Sequence, residues 1–355
     1  MKTLSTLEQE ARKRAGPRYS WPFGVALLVL GVSLLLFGLP ATAQPQLTGR
    51  TVTILVGYTA GGGYDRFARI VARHLPRYLP GTPAVVVQNM PGAESVVAAN
   101  HLFNAARPDG LTIGLFNRNL VFAQLVGVAG VRFDVRRWQW IGNLAEETDV
   151  FVIRADLPYR HILELRQAEP PVVVGATGPG ANTYDYPLAL RAFLRLNLRI
   201  VSGYPGGADI NLAMERKEVD ARAGSSSSML LLADRGLVRP LVRTPSENPR
   251  LRGIPVDQDL VSEPVAKAVL RLRSATNPLG RPFVAPPAAP PEVVRLYREA
   301  FRRLAEDPVF RSEAERAGFE ISYRPGEVCL RTVQEVLATP PGVVRIFKEL
   351  FRFGE

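Results

Sequence analysis

An α/β protein of two lobes is what the sequence predicts, and three observations predict it. Apolar, β-branched runs alternate with segments of helical period from Val52 onward. Two such series follow one another along the chain. Each series contains a strand that runs straight into a glycine-rich turn and a helix. Near-continuous apolar runs suit strands buried on both faces, as in a parallel sheet covered by helices. The 355 residues are enough for two lobes of about 100–200 residues each. A hydrophobic share of 46% and a charged share of 22% mark a globular chain rather than a disordered one.

The first series opens with Val52-Thr53-Ile54-Leu55-Val56 as a buried strand. The helix after it sets Phe67, Ile70, Val71 and Leu75 on one face and turns Arg66, Arg69 and Arg73 outward, and Pro76 closes it. A strand over Ala84–Val87, a helix over Glu94–Ala105 and a strand over Thr112–Phe116 follow, the last entered through the Pro108-Asp109-Gly110 turn. The second series begins near Asp149. It reads as a crossing strand at Val150–Ile153, a buried strand at Val172–Val174, a helix at 183–196, a strand at Arg199–Val201 and a helix at 208–216. From Pro282 the pattern turns helical. Val294, Tyr297, Phe301 and Leu304 form one stripe, Val309 and Phe310 follow, and Val343, Phe347 and Leu350 come last. These helices are expected to return to the first lobe, so that residues 47–148 and 273–355 make lobe 1, residues 149–272 make lobe 2, and the chain crosses twice.

Residues 1–20 carry Lys2, Arg12, Lys13, Arg14 and Arg18 against Glu8 and Glu10, and an uncharged apolar run extends from Trp21 to Leu39. Ala41-Thr42-Ala43 then supplies the small residues of a signal-peptidase site, which predicts export to the periplasm with cleavage after Ala43. An uncleaved anchor is the alternative, because the run is close to the roughly 20 residues that cross a bilayer. Arg12-Lys13-Arg14 is not a twin-arginine pair, which favours the general secretory route. Removal of 1–43 takes away five basic and two acidic side chains and lowers the formal charge from +11 to +8. The remaining arginines are scattered rather than bunched with aromatics, so nucleic acid is not the expected partner. A basic surface does draw small anions toward a cleft.

Cys329 is the only cysteine, so no disulfide framework forms, and a place in the core is expected for it. His74, His101 and His161 stand far apart without ligand spacing, so neither a metal nor a cofactor is expected.

The turn Thr59-Ala60-Gly61-Gly62-Gly63-Tyr64-Asp65 sits where a strand hands over to a helix. A helix start presents unpaired backbone N–H groups and a partial positive charge, and glycines let an anion approach the backbone. No Gly-Lys-Ser/Thr follows, and Gly61-x-Gly63 is completed by Arg66, so neither nucleotide-phosphate fingerprint is present. Taken alone, the turn reads equally as a tight turn or as a ligand loop. The second lobe repeats the device in Thr177-Gly178-Pro179-Gly180-Ala181-Asn182-Thr183, and two such starts predict two jaws around one cleft. Gly224-Ser225-Ser226-Ser227-Ser228 lacks the closing glycine and a neighbouring histidine of a nucleophile elbow, and reads as a loop bordering the cleft or a linker. Glu146-Glu147 reads as a pair that caps or solvates a loop.

Ala60-Gly61-x-Gly63-x-Asp65, Gln88-Asn89-Met90-Pro91-Gly92-Ala93, Pro108-Asp109-Gly110, Gly206-Gly207-Ala208-Asp209 and Glu218-Val219-Asp220 occur in this order, with Gly280-Arg281-Pro282-Phe283 and Ala285-Pro286-Pro287 after them. Over 47–355 the chain resembles the receptor family of tripartite tricarboxylate transporters, the Bug extracytoplasmic solute receptors. The resemblance implies a type II periplasmic-binding-protein fold of two Rossmann-like lobes with a hinge and a central cleft. It further implies a monomer without catalytic residues that passes a small carboxylate, di- or tricarboxylate-like, to a large and a small membrane subunit. The ligand residues it implies are Thr59, Ala60, Gly61, Gly62, Gly63, Tyr64, Asp65, Thr177, Gly178, Gly180, Asn182 and Thr183, with Tyr204 and Asn117 bordering the cleft. Many members carry Pro-Phe where this chain has Gly57-Tyr58, and a Ser/His-containing loop where it has Asn182-Thr183-Tyr184-Asp185, which points to a ligand different from the usual dicarboxylates. Asp185 is expected to disfavour a carboxylate unless it turns to solvent. Two other readings carry different consequences: an exported α/β enzyme acting on a small anion, which requires a nucleophile and a base in the cleft, and a receptor diverted to a periplasmic sensor.

Overall fold

The computed structural model describes residues 47–351, and the export segment predicted for 1–43 lies outside them. The chain runs through β1 (Thr51–Val56), α1 (Gly63–His74), β2 (Ala84–Asn89), α2 (Val96–Asn104), β3 (Thr112–Leu115), α3 (Leu120–Leu125) and β4 (Gln139–Asn143). It continues through β5 (Asp149–Arg154), β6 (Val172–Gly175), α4 (Asn182–Leu194), β7 (Leu198–Val201), α5 (Gly207–Glu215), β8 (Ala221–Ser225), α6 (Ser226–Asp234), β9 (Val238–Arg243) and α7 (Pro264–Ser274). It closes with β10 (Pro282–Ala285), α8 (Pro291–Glu306), α9 (Pro308–Arg316), β11 (Arg324–Pro325), α10 (Gly326–Leu337) and α11 (Pro341–Phe351).

The strands form two sheets, in the orders β2-β1-β3-β10-β4-β11 and β7-β6-β8-β5-β9. Both follow one plan. The opening strand of each parallel set pairs with its second and third strands, and the third then meets an antiparallel strand from elsewhere in the chain. That strand is β10 in the first sheet and β5 in the second. The chain therefore passes between the sheets twice, after β4 and again between β9 and β10. This is the two-lobed α/β architecture that the alternating pattern predicts.

The unbroken apolar character of β1 follows from helices on both of its faces. Val52, Ile54 and Val56 pack with Phe67, Ile70 and Val71 of α1 and with Tyr297, Phe301 and Leu304 of α8. Leu55 belongs to the opposite layer, with Ala98, Ala99 and Leu102 of α2. Gly110 takes φ +79°, and Asp109 Oδ1 accepts the Leu111 N–H at 3.0 Å, so the Pro108-Asp109-Gly110 turn launches β3 as its residue types require.

Two readings of the C-terminal part change. Pro282–Ala285 is a strand rather than a helix entry, because Phe283 and Val284 pair with Leu115 and Gly114 of β3. An apolar run of four residues fits strand or helix equally until its pairing partners are known. The last helix, expected with the first lobe, packs against α4 and α7 beside the second sheet, while Phe347 meets Phe122 at 5.1 Å between ring centroids. Its periodicity marked an apolar face, but not the surface that would cover it. Cys329 is buried and free.

Candidate functional site

A cavity of about 440 Å³ lies between the lobes. Four helix starts contribute to its wall: Gly61–Tyr64 at α1, Ala181–Thr183 at α4, Gly206–Ala208 at α5 and Gly224–Ser225 at α6. Each leaves backbone N–H groups without intrahelical partners, and the starts of α1, α4 and α5 carry roughly half a positive charge, whereas Glu147 caps that of α6. The arrangement suits a small organic anion.

Thr59, Gly61, Gly62, Gly63, Tyr64, Asn117, Thr177, Asn182 and Thr183 all line this cavity, whereas Ala60, Asp65, Gly178, Gly180 and Tyr204 do not. Asp65 is buried and turned back into its own loop. Its carboxylate accepts from the Gly61 N–H at 2.8 Å, from Asn89 Nδ2 at 3.0 Å and from Arg69 Nε at 3.0 Å. It shapes the turn instead of facing a ligand. Gly180 gives its carbonyl to Asn117 Nδ2 at 3.2 Å, a bond that joins the two lobes. Thr177 and Thr183 share a hydroxyl–hydroxyl bond of 2.8 Å, and Asn182 Nδ2 donates to Asp149 at 2.9 Å. Tyr204 is partly buried against the second-lobe core that includes Ile210.

Asp185 neither faces the cavity nor turns to solvent. It is buried, and it accepts the Gly180 N–H at 3.0 Å. Burial pushes its carboxyl up from 3.8 to about 7, against the Arg273 charge and the Gly180 N–H. A folded-state pKa above the unfolded one adds stability that is complete below the ordinary carboxyl value and is lost as pH rises through about 7. Asp185→Asn keeps the acceptor without the titration, so its melting temperature should fall less than that of the wild type between about pH 5 and pH 8. Thermal melts across that range check this, and parallel curves would contradict it.

Gly224–Ser228 is the end of β8 and the start of α6 rather than a linker, and Gly224, Ser225 and Ser228 border the cavity. Glu147 is buried and holds this start. It accepts from Ser226 Oγ and the Ser227 N–H, each at 3.2 Å, and pairs with Arg281 Nη2 at 2.8 Å. The pair read as solvating a loop thus includes a buried cap. Arg281 in turn lies 4.4 Å from the centre of the Tyr64 ring.

Sequence reasoning missed Arg66, Glu94 and Arg222, all of which line the cavity. Arg222 could have been found: it is a lone charge in the strand Ala221-Arg222-Ala223-Gly224, just ahead of the serine run. Burial lowers its pKa to about 10 and leaves it cationic at neutral pH. Glu94 stands in a strained segment, where Ala93, Glu94 and Ser95 take φ of 44°, 51° and 78°. Such conformations cost about 1–2 kcal/mol per residue outside glycine. The segment is held by Ser95 Oγ on the Gly57 carbonyl at 3.2 Å and by the Tyr58 hydroxyl, which donates to Glu94 Oε2 at 3.0 Å. A Cβ on residue 57 would stand 2.3 Å from Ser95 Oγ and 2.9 Å from Ser95 Cα, so glycine is required there. Burial pushes the Glu94 carboxyl up to about 7, against hydrogen bonds from Thr177 and Tyr58.

Two linked α/β lobes, with helix starts from both converging on one anion-sized cavity, define a solute-binding protein of the periplasmic type. The chain belongs to the tripartite tricarboxylate transporter receptor family, whose model matches residues 67–345. A curated relative from Cupriavidus necator, described as a UPF0065 protein in the gbd 5′ region, is 27% identical over 300 residues, covering 81% of this chain and 85% of the relative. Among solved structures, the periplasmic binding protein BugD superposes with a TM-score of 0.71 at 21% identity, covering 86% of this chain and 99% of BugD. MatC from Rhodopseudomonas palustris, solved with bound malate, gives 0.68 at 20% identity over 83% and 99% of the two chains. An R. palustris protein solved with adipate gives 0.70 at 16% identity over 86% and 98%.

Proposed function

We propose that this protein is an extracytoplasmic receptor that captures a small carboxylate between its lobes and delivers it to the large and small membrane subunits of a tripartite transporter. The observation that carries this reading is the convergence of four helix starts on one cavity. Family membership supports it, and so do the malate and adipate of the two R. palustris neighbours. The protein works in the periplasm as a monomer after cleavage behind Ala43. Lobe 1 is formed by 47–148 and 273–340 and lobe 2 by 149–272 with the last helix packed against it, and they close on the ligand by hinge motion. The ligand residues are the cavity-facing members of the loops 59–64 and 177–183, together with Asn117. The family is one of binding receptors, which favours receptor over enzyme.

A thermal-shift panel of mono-, di- and tricarboxylates tests this. A true ligand at about 100 times its dissociation constant adds about 2.7 kcal/mol and raises the melting temperature. If every carboxylate leaves the transition in place, the reading is overturned.

A further inference from the structure

We infer that Arg222 is the residue with which this receptor reads a second acidic group on its ligand, so that the cavity selects diacids over monoacids of equal length. The inference rests on the carboxylate-receptor reading above.

Four arginines are buried among the described residues: Arg118, Arg222, Arg273 and Arg281. Three have a carboxylate within the protein, since Arg118 and Arg273 pair with Asp149 and Arg281 pairs with Glu147. Arg222, 4% exposed, has none in its hydrogen-bond set. Nε donates to the Ala223 carbonyl at 3.1 Å, and Nη1 donates to the Gly207 carbonyl at 2.6 Å and to Asn211 Oδ1. Those neutral acceptors fix the guanidinium and leave Nη2 free. Gly207 and Gly224 flank that nitrogen, and a Cβ on either would stand 3.0 or 3.2 Å from it. Two positions without side chains thus make room for the fork at the cavity wall.

The electrostatics call for an anion at this point. A guanidinium cannot shed its charge at neutral pH, and a buried cation without a counter-charge is costly. The start of α5, whose first residue is Gly207, adds positive potential beside it rather than relieving it. An entering carboxylate would supply the missing charge and take a charge-assisted bond from Nη2. The glycine loops at 59–63 and 177–183 stand on other helix starts, α1 and α4. They remain available for the first carboxylate, so the cavity has two anion-seeking poles.

The test measures affinities by calorimetry on the intact protein, using malonate, succinate, glutarate and adipate and the monomethyl ester of each. The wild type should prefer its best diacid over the matching monoester by about tenfold or more. Arg222→Gln should weaken diacid binding by about tenfold to a hundredfold and weaken monoester binding far less. Arg222→Lys, which keeps the charge without the fork, should recover part of the diacid preference. Equal wild-type affinity for diacid and monoester, or an equal loss of both in Arg222→Gln, overturns the inference while leaving the receptor reading intact. Failure of every acid and ester to bind the wild type overturns both. If Arg222→Gln does not fold, the wild-type ratio and a crystal structure with the best diacid decide: a carboxylate on Nη2 supports the assignment, and one placed elsewhere overturns it.

Discussion

Replacing Asp149 by alanine should cost the protein about 3–5 kcal/mol of unfolding free energy, the usual loss when one partner of a buried ion pair is removed. Asp149 opens β5, where the chain has just left the first sheet for the second, and it is fully buried. Arg118 bonds its Oδ1, Arg273 Nη1 stands 3.0 Å from its Oδ2, and Asn182 Nδ2 donates to it at 2.9 Å. Its backbone N–H also donates to Thr244 Oγ1 at 3.0 Å. Burial alone would raise the Asp149 carboxyl, but the Arg118 and Arg273 charges hold it below the ordinary range, so it is ionised in the folded protein. Alanine strands two buried guanidinium groups drawn from different parts of the chain. Asparagine keeps the shape without the charge and should fall between. Urea unfolding of the three proteins checks this, and an alanine variant with an unchanged midpoint would show that the cluster adds nothing to stability.

Carboxylate affinity should weaken by about tenfold between about pH 6 and pH 8, and Glu94→Gln should remove most of that dependence. Glu94 lines the same cavity as the four helix starts, and its carboxyl titrates at about 7. On the acid side it is neutral and does not oppose a ligand anion. Above that value the ligand must either bind beside a second negative charge or return the proton, and each further pH unit costs up to about tenfold. Its contribution to fold stability has the same sign. It is complete below the ordinary carboxyl value of 4.5 and is lost as pH rises through about 7. Calorimetric titrations of one carboxylate at several pH values, with wild type and Glu94→Gln side by side, decide the matter. A flat profile for the wild type would remove Glu94 from any role in binding.

Glu94 also shows why part of the site was illegible in the sequence. Its segment reads as the opening turn of an ordinary helix, yet three successive residues take positive φ, held by Ser95 against Gly57 and by Tyr58. Those contacts span 36 to 38 residues, so no local pattern foretells them. Asp65 and Asp185 show the converse. Both stand in the first turn of a glycine-led helix, where sequence suggests a group facing the ligand or a charge facing solvent. In the fold each bonds an N–H of its own loop, Gly61 or Gly180.

What the sequence determined by itself was everything that depends on neighbours within a few residues. That covers the alternation of strand and helix, the two glycine-rich starts from Thr59 and from Thr177, the turn before β3 and the absence of a nucleotide fingerprint. Hydrophobic period and backbone permissiveness are properties of short stretches, and they survive any later folding. Tertiary structure alone decided which charges meet. It set Arg118 and Arg273 on Asp149, enclosed Glu147 with Arg281, and left Arg222 facing the cavity without a carboxylate. The physical reason is that a buried charge is governed by whatever the fold places within a few ångströms of it, and for these residues that company comes from distant parts of the chain.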